Sequence, residues 1–555
     1  MNKTPPWWQN GVIYQIYPKS FQDTTGSGTG DLAGVIQRLD YLKLLGVDAI
    51  WLTPFYISPQ VDNGYDVANY TAIDPAYGTM SDFDHLVEQA HKRGLRVILD
   101  MVFNHSSTQH HWFHESLNPE SPYRDYYIWR DGTPTEPPNN WKSKFGGSAW
   151  RWHPESNQYY MHLWAPEQAD LNWENENVRA ELKQIVNFWA DRGIDGLRLD
   201  VVNLVSKHQD FPDDPDGDGL RLYTDGPRIH EYMREMSRDV FRPRELVTVG
   251  EMSSATLEHC QQYGSLEGDE LSMVFSFDHV EVDFWNGQKW TLTPLDLVAQ
   301  KKIFTHWQQG MHNRGWNALF WCNHDQPRVV SRWGDDGEYR VQSAKMLAMV
   351  LHGMQGTPYI FQGEELGMTN PGFTRIIDYR DIESHNMYAE LRAQGRDSEN
   401  LLAILASKSR DNGRTPMQWD ASENAGFTVG TPWIGMSRNY ETINAEAAIA
   451  DPDSIFYAYQ KLIQLRKRYL ILTWGDYLDL LPSHPYLWCY RRQYEGETLV
   501  VIANFSREAQ SWHPEENFGD SWEVLMSNYP DAKAEPGEMM LRPWEAVWWY
   551  QKKNH

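Results

Sequence analysis

Short apolar runs alternate along this chain with longer stretches in which hydrophobic residues recur at helical spacing. Residues 31–46 and 176–193 are examples of the helical stretches. The apolar runs have the length of single strands and lie at residues 11–17, 49–55, 95–103, 196–202, 246–252, 271–277, 318–324 and 357–365. Eight such strand-plus-helix units predict an α/β fold whose parallel sheet closes into a (β/α)8 TIM barrel. A doubly wound open sheet is the alternative.

Two regions interrupt this alternation, and a third replaces it. The segment after the third run is rich in Trp, Tyr, His, Pro and Gly and is far too long for an ordinary loop, which predicts an inserted domain. A second long excursion follows the eighth run, and near the end of the chain the pattern changes to strand-like alternation, which predicts an antiparallel β domain. The predicted division is barrel at 1–105 and 173–475, insertion at 106–172, excursion at 366–450 and C-terminal domain at 476–555.

Charge and composition exclude several classes of partner. The 555 residues include 50 basic and 76 acidic side chains, a net charge of −26 that argues against nucleic acid and anionic membranes as partners. An anionic small molecule remains compatible, because charges are screened beyond roughly 10 Å and a few local lysines can dominate. The three cysteines have no CxxC spacing, and the N-terminal residues lack the apolar core of a signal peptide. We therefore expect a cytoplasmic protein without a membrane segment, with a monomer favoured.

Three acidic residues stand where apolar runs meet loops: Asp200, Glu251 and Asp325. Such strand ends form the active-site face of a barrel. Arg198 precedes Asp200 by two positions, so both side chains share one strand face and the guanidinium favours the ionised carboxylate that a nucleophile needs. Glu251 has no basic neighbour in sequence and follows an apolar strand, an environment typical of a general acid. A structural ion pair and a helix cap are the alternative interpretations.

The segments DMVFNH (100–105), GLRLD (196–200), VGEM (249–252) and NHDQ (323–326), in this order and spacing, resemble the α-amylase family of glycoside hydrolases, glycoside hydrolase family 13. The similarity covers nearly the whole chain. The motifs YQIYPKSF, NGYDVANY, KFGGSAW and RTPMQW resemble those of the exo-acting α-glucosidase branch. The stretches DTTGSGTGDL and FWCNHDQPR are most similar to members that hydrolyse trehalose 6-phosphate, and oligo-1,6-glucosidases and trehalose synthases are similar as well.

The resemblance implies a retaining exo-acting α-glucosidase that cleaves trehalose 6-phosphate to glucose and glucose 6-phosphate, with an isomaltose-type oligo-1,6-glucosidase or a trehalose synthase as alternatives. It assigns Asp200 as nucleophile, Glu251 as acid/base and Asp325 as the carboxylate that stabilises the distorted sugar. In a retaining enzyme the two reacting carboxyls lie about 5 Å apart. The implied substrate-binding residues, with Asp62 and Arg414 paired across the pocket, are Asp62, Tyr65, His105, Phe145, Gln168, Arg198, His324 and Arg414. A non-enzymatic transporter subunit of the same fold would have lost the catalytic acids and gained a membrane segment.

A phosphate-binding residue has to come from isolated basic side chains, because the sequence contains no Gly-rich phosphate loop. Lys289 stands beside Trp290 after the sixth strand, where an ammonium could meet an anion and a flat ring could meet a sugar. Lys302 is the second candidate, while Lys301 and Lys207 are weaker ones. A solvated surface lysine is the alternative interpretation for Lys289, Lys301 and Lys302, and a Ser-Lys pair like that at Lys207 also occurs in relatives that bind neutral sugars.

Two acidic loops come close to metal-binding patterns. The loop from Asp23 to Asp31 aligns with a metal loop of the family's relatives, but it has Thr25 and Ser27 where ligating acids are expected. The loop that starts at Asp214 nearly fits an EF-hand but lacks the bidentate glutamate. We therefore predict that the protein needs no metal and no cofactor, and that its partner is a phosphorylated disaccharide.

Overall fold

The computed structural model describes residues 4–515 and 518–552. Eight parallel strands form one sheet in which each strand pairs with its neighbour in sequence and the eighth returns to the first. A parallel bridge between Val274 and Asn317 joins the sixth strand to the seventh and closes the barrel. In chain order, the first to eighth barrel strands are Ile13–Ile16, Ala49–Leu52, Arg96–Met101, Gly196–Leu199, Val247–Glu251, Met273–Phe275, Ala318–Leu319 and Thr357–Phe361. The predicted TIM barrel is thus confirmed, and each strand lies within a predicted run.

The helices around the barrel begin where the sequence provides caps. Thr79 and Asp82 form a reciprocal capping box at the start of Met80–Lys92, and Asn175 caps Glu176–Asp191. The apolar faces of both helices are buried against the barrel, as their helical spacing requires. The other helices up to the eighth strand are Trp7–Asn10, Leu32–Gln37, Leu39–Leu45, Leu220–Tyr223, Ile229–Met236, Leu257–Tyr263, Leu297–Met311, Val329–Arg332 and Arg340–His352.

A separate small domain is inserted after the third barrel strand. Its helix is His111–Ser116, and its strands are His105–Ser107, Trp129–Asp131, Trp150–His153, Gln158–Met161 and Gln168–Asp170. Phe211 and Tyr223, from the loop after the fourth barrel strand, pack on Trp141 of this domain. The insertion is therefore fixed to the barrel by apolar contacts beside the carboxyl ends of the strands. Its boundaries at residues 106 and 172 stay a prediction.

The chain ends in an antiparallel β domain, as predicted. Its strands are Leu478–Asp479, Leu487–Tyr494, Glu497–Asn504, Gln510–Trp512, Glu523–Ser527, Met539–Leu541 and Ala546–Lys552. The excursion after the eighth barrel strand and the segment that follows it contain the helices Ile382–Ala393, Ser398–Lys408, Ala445–Ala450, Ile455–Arg468 and Leu470–Trp474. Among the described residues, no helix combines the length and the apolar character that crossing a membrane requires.

Candidate active site

A cavity with an empty volume of about 320 Å³ opens at the carboxyl ends of the barrel strands. Seven of its lining residues were predicted from the sequence, and three were not, namely Trp164, Val201 and Arg410. The complete lining is Asp62, Tyr65, His105, Phe145, Trp164, Asp200, Val201, Glu251, Asp325 and Arg410. The structure therefore gathers residues from the barrel, the inserted domain and the late excursion around one space.

Register places the two predicted reacting carboxylates on neighbouring strands. Leu199 of the fourth strand pairs with Gly250 of the fifth, so the next residues, Asp200 and Glu251, stand side by side. Adjacent strands lie about 4.8 Å apart, which is compatible with the spacing of a retaining pair. Both carboxylates contact Arg198, with 2.7 Å between Nη1 and Asp200 Oδ1. Glu251 has no basic neighbour in sequence, but it has one in the fold, because the guanidinium of Arg198 reaches across to the fifth strand.

Asp100, at the end of the third strand, orients Arg198 from the other side. Its carboxylate accepts hydrogen bonds from Arg198 Nη1 at 3.1 Å, Trp51 Nε1 at 3.1 Å and the Tyr65 hydroxyl at 2.8 Å. Burial raises the pKa of Asp100 to about 7, against the opposing charge of Arg198. Asp100 thus fixes both a guanidinium and an aromatic ring of the cavity, although the sequence indicated only that it ends a strand.

Asp325 lies between two arginine side chains and an imidazole ring. Its Oδ1 lies 2.9 Å from Arg414 Nη2 and 3.3 Å from Arg410 Nη1, and its Oδ2 lies 3.3 Å from His324 Nε2. Burial raises the pKa of Asp325, but the neighbouring charges, including those of Arg410 and Arg414, lower it by more and hold it well below the usual range. The carboxylate therefore stays ionised, as the stabilisation of a developing positive charge requires.

The predicted pairing of Asp62 with Arg414 is wrong. Asp62 Oδ1 lies 2.9 Å from Arg410 Nη2, and Asp62 Oδ2 accepts a hydrogen bond of 3.0 Å from Gln168 Nε2. Arg414 instead donates from Nε to the His324 carbonyl at 2.8 Å, which aims its guanidinium at Asp325. The 3-10 helix Arg410–Gly413 separates the two arginines by one turn, so Arg410 reaches both Asp62 and Asp325, and Arg414 reaches Asp325. Sequence reasoning missed Arg410, although it stands four residues before RTPMQW.

Aromatic and imidazole rings pack closely beside the carboxylates. Tyr65 stacks on His324 with 5.0 Å between ring centres and 4° between planes. His105 Nε2 lies 3.0 Å from the Tyr65 carbonyl, and Gln168 Nε2 lies 3.3 Å from the same imidazole nitrogen. Burial lowers the pKa of His324 to about 3, so this ring is neutral. One face of Tyr65 is covered by His324, and the sugar contact predicted for Tyr65 stays a prediction.

The turn after Asp200 is strained and tied to the neighbouring loop. Val201 has a φ of 35°, a left-handed conformation that is costly for a β-branched residue and that persists only where surrounding contacts enforce it. Two residues later, the Asn203 side chain donates to the Ser253 carbonyl at 2.8 Å and accepts from the Ser253 N–H at 3.1 Å. These paired hydrogen bonds join the loop after Asp200 to the loop after Glu251.

The lysines suggested for phosphate binding lie outside the cavity lining. Lys289 is half-buried, pairs with Glu383 and lies 4.5 Å from the centre of the Trp290 ring. Lys302 is exposed on an outer barrel helix. Lys207 is buried against Asp170 at 3.0 Å. Lys289 connects to the cavity through Glu383, which also lies 4.0 Å from Arg410.

Lys301, the remaining candidate, has a structural role. Its buried ammonium donates hydrogen bonds to backbone carbonyls of the segment that leads into the C-terminal domain, those of Leu481, His484 and Leu487. The interpretation of Lys301 as a solvated surface residue is therefore wrong, and so is a role for it in phosphate binding.

The acidic loop from Asp23 to Asp31 is closed by hydrogen bonds from the chain itself. Asp23 accepts from the N–H groups of Thr25 at 3.0 Å and Gly28 at 2.8 Å and from the Thr428 hydroxyl at 2.6 Å. Asp31 accepts from the Thr24 N–H at 2.9 Å and caps the following helix. Within residues 4–515 and 518–552, no group of three or more His, Cys, Asp or Glu side chains is arranged to hold a metal ion.

Comparison with known proteins agrees with this architecture. Residues 15–475 match the family described as alpha amylase, catalytic domain, and residues 487–547 match the alpha-amylase SusG C-terminal domain. The chain belongs to the α-amylase family. It is 72% identical over 552 residues to trehalose-6-phosphate hydrolase of Escherichia coli (strain K12), with 100% of both chains covered. It is 49% identical to an oligo-1,6-glucosidase of Parageobacillus thermoglucosidasius, with 97% of this chain and 98% of that one covered.

Solved structures show the same relationship. The crystal structure of Bacillus licheniformis trehalose-6-phosphate hydrolase superposes with a TM-score of 0.95 at 54% identity, covering 99% of this chain and all of that one. The isomaltulose synthase of Klebsiella sp. LX3 superposes with a TM-score of 0.94 at 40% identity. The predicted family is therefore confirmed.

Proposed function

We propose that this protein hydrolyses trehalose 6-phosphate to glucose and glucose 6-phosphate with retention of the α-configuration. The geometry that carries the chemistry is the side-by-side placement of Asp200 and Glu251, which share Arg198 at the cavity. The identity of 72% over the full length to a trehalose-6-phosphate hydrolase supports the choice of substrate. The phosphorylated sugar also fits a location in the cytoplasm, which we propose together with a monomeric state.

The reaction takes place in two steps. Asp200 attacks the anomeric carbon and forms a glucosyl ester, while Glu251 donates its proton to the departing glycosidic oxygen. Glu251 then accepts a proton from water, which attacks the anomeric carbon, releases α-glucose and restores Asp200. The positive charge that develops on the sugar ring in both transition states is stabilised by the ionised Asp325.

The position of each sugar follows from the charges around the cavity. The unphosphorylated glucose is held by Asp62 and Arg410, which form a buried ion pair in the cavity wall. The phosphorylated glucose is the leaving group and lies towards Lys289, whose ammonium is the first candidate for the phosphate contact. A charge-assisted contact of this kind contributes about 1.5–3 kcal/mol, or roughly ten- to a hundredfold in kcat/KM.

A product assay on trehalose 6-phosphate beside trehalose and isomaltose tests the substrate. We expect equal amounts of glucose and glucose 6-phosphate and a clear preference for the phosphorylated sugar. Preference for isomaltose would show an oligo-1,6-glucosidase instead, and a rearranged disaccharide without free glucose would show a synthase. In Lys289→Ala, kcat/KM for trehalose 6-phosphate should fall by roughly ten- to a hundredfold while cleavage of a neutral aryl α-glucoside stays nearly unchanged. Equal losses on both substrates would exclude Lys289 as the phosphate contact.

A further inference from the structure

Lys144 of the inserted domain stands next to a residue that lines the cavity. It directly precedes Phe145, which lines the cavity, and its N–H donates to the Leu163 carbonyl at 2.7 Å. The side chain is half-buried, and its Nζ lies 5.7 Å from the centre of the Tyr223 ring. Among the described residues, none forms a hydrogen bond with this Nζ or an ion pair within 4.0 Å of it. The carboxylates of Glu281 and Asp218 offset only part of the cost of burying this charge, so the position is suited to an anionic ligand.

Lys144 and Lys289 are held against the same helix. Asn386 of Ile382–Ala393 donates from Nδ2 to the Phe145 carbonyl at 3.3 Å, which fixes the segment that bears Lys144. One turn earlier, Glu383 of this helix pairs with Lys289. The two lysines come from the inserted domain and from the loop after the sixth barrel strand, and the helix Ile382–Ala393 contacts both segments.

The exposed carboxylate of Glu281 lies within electrostatic range of both ammonium groups. Desolvation by the surrounding protein raises the pKa of Glu281, and Lys144 and Lys289 each lower it. Burial lowers the pKa of Lys144, and Glu281 partly offsets this effect. One carboxylate thus lies in the field of both lysines, which agrees with the contacts of their segments with the helix Ile382–Ala393.

We propose that Lys144 is a specificity-determining residue that contacts the 6-phosphate of the leaving glucose together with Lys289. This inference rests on the proposed function and adds a second residue to its phosphate site. A sugar phosphate carries about −1.5 to −2 charges at neutral pH, more than one lysine neutralises. Lys289 already pairs with Glu383, whereas no carboxylate among the described residues lies within 4.0 Å of the Lys144 ammonium. Glu281 opposes phosphate binding, because its carboxylate is close to the same two lysines.

Steady-state kinetics of Lys144→Ala on trehalose 6-phosphate and on p-nitrophenyl α-glucoside test the proposal. We expect kcat/KM for the phosphorylated sugar to fall by roughly ten- to a hundredfold, mainly through KM, while the aryl glucoside changes less than about twofold. Lys144→Arg should keep most of the activity, because the charge remains. Lys142→Ala is the matched control, since Lys142 is exposed two residues earlier and should behave like the wild type.

Glu281→Gln provides an independent measurement. Removal of the competing negative charge should raise kcat/KM for trehalose 6-phosphate severalfold and leave the aryl glucoside unchanged. Equal losses on both substrates in Lys144→Ala, or an unchanged preference for the phosphorylated sugar, would overturn the role of Lys144 and leave the proposed hydrolysis intact. If the wild-type protein itself does not prefer trehalose 6-phosphate to isomaltose, the proposed function fails, and the phosphate site fails with it.

Discussion

The guanidinium of Arg410 lies 2.9 Å from the Asp62 carboxylate, although 348 residues separate them in the chain. The same side chain reaches Asp381 at 2.5 Å, and Asp381 caps the helix Ile382–Ala393. Its guanidinium also lies 5.0 Å from the centre of the Phe145 ring, in the inserted domain. Arg410 thus joins the loop after the second barrel strand, the inserted domain and the late excursion at one wall of the cavity.

Replacement of Arg410 should damage both stability and activity. Arg410→Ala leaves Asp62 buried without its ion-pair partner and leaves Asp381 with only the more distant Arg414 at 3.8 Å; breaking a buried pair typically costs about 3–5 kcal/mol. We expect a lower free energy of unfolding by that order and a loss of kcat/KM of about a hundredfold or more. Denaturant unfolding and steady-state kinetics on an aryl α-glucoside measure the two effects. Arg410→Lys should have effects of intermediate size on stability and activity, because an ammonium keeps the charge but cannot reproduce the planar set of donors of the guanidinium.

Arg375 provides the comparison for this variant. It forms an Arg–Asp pair with Asp378 in the same excursion, but its side chain is 71% exposed. Arg375→Ala should therefore change the free energy of unfolding by less than about 1 kcal/mol. Similar effects of the Arg410 and Arg375 substitutions would contradict the importance assigned to the buried pair.

The contrast between Arg198 and Arg410 shows what the sequence can and cannot predict. Arg198 and Asp200 share a strand, so a period of two predicts their contact, and the structure has it at 2.7 Å. The approach of Arg198 to Glu251 depends on strand pairing, and the approach of Arg410 to Asp62 depends on the folding of a long excursion. Local periodicity determines which face a side chain occupies, but it contains no information on partners that tertiary packing brings together.

The lysines also show that periodicity in the sequence does not predict which charged side chains are buried. From the sequence alone, a solvated surface lysine is the alternative interpretation for both Lys301 and Lys302, because both stand in one helical segment. Neighbouring residues of a helix point in different directions. Lys301 is therefore buried beneath the C-terminal domain, whereas Lys302 is exposed to solvent. Which of them is buried depends on where a distant domain docks, and the spacing within the helix does not reveal that.

The catalytic assignment predicts distinct effects for the two reacting carboxylates. Asp200→Ala should abolish turnover, because no glucosyl ester can form. Glu251→Gln should slow cleavage most for substrates with poor leaving groups, since protonation of the leaving oxygen matters most there. Rates on a series of aryl α-glucosides with different leaving-group pKa values measure this dependence. Identification by NMR of β-glucose as the first product would overturn the retaining assignment.

Turnover should not depend on a divalent metal. The Asp23 carboxylate already accepts hydrogen bonds from Thr25, Gly28 and Thr428, and Thr25 and Ser27 offer hydroxyls where carboxylates would be needed for tight binding. Activity should survive prolonged chelation and dialysis at its original level. Loss of activity that calcium or magnesium specifically restores would contradict the prediction. A change in melting temperature alone would leave the catalytic prediction intact.

Glu364, buried after the eighth barrel strand, should make stability depend on pH. It accepts hydrogen bonds from the Tyr459 hydroxyl at 2.8 Å and the Phe361 N–H at 3.2 Å, and burial raises its pKa to about 7. Because the pKa is higher in the folded state than in the unfolded state, its contribution to stability is fully present below about pH 4.5 and is lost as the pH rises through about 7. The decrease in the free energy of unfolding over this pH range is on the order of 2–3 kcal/mol.

Melting temperatures at pH 5.5 and pH 8 test this contribution in Glu364→Gln. Glutamine cannot ionise. We therefore expect the melting temperature of the variant to fall less between pH 5.5 and pH 8 than that of the wild type, and the two falls should differ by about 2 °C for a chain of this size. Asp66 and Asp100 also have raised pKa values, so part of the fall should remain in the variant. Glu338→Gln, at an exposed position, should retain the full wild-type difference. An equal fall in Glu364→Gln and the wild type would show that Glu364 ionises without a penalty in the folded protein.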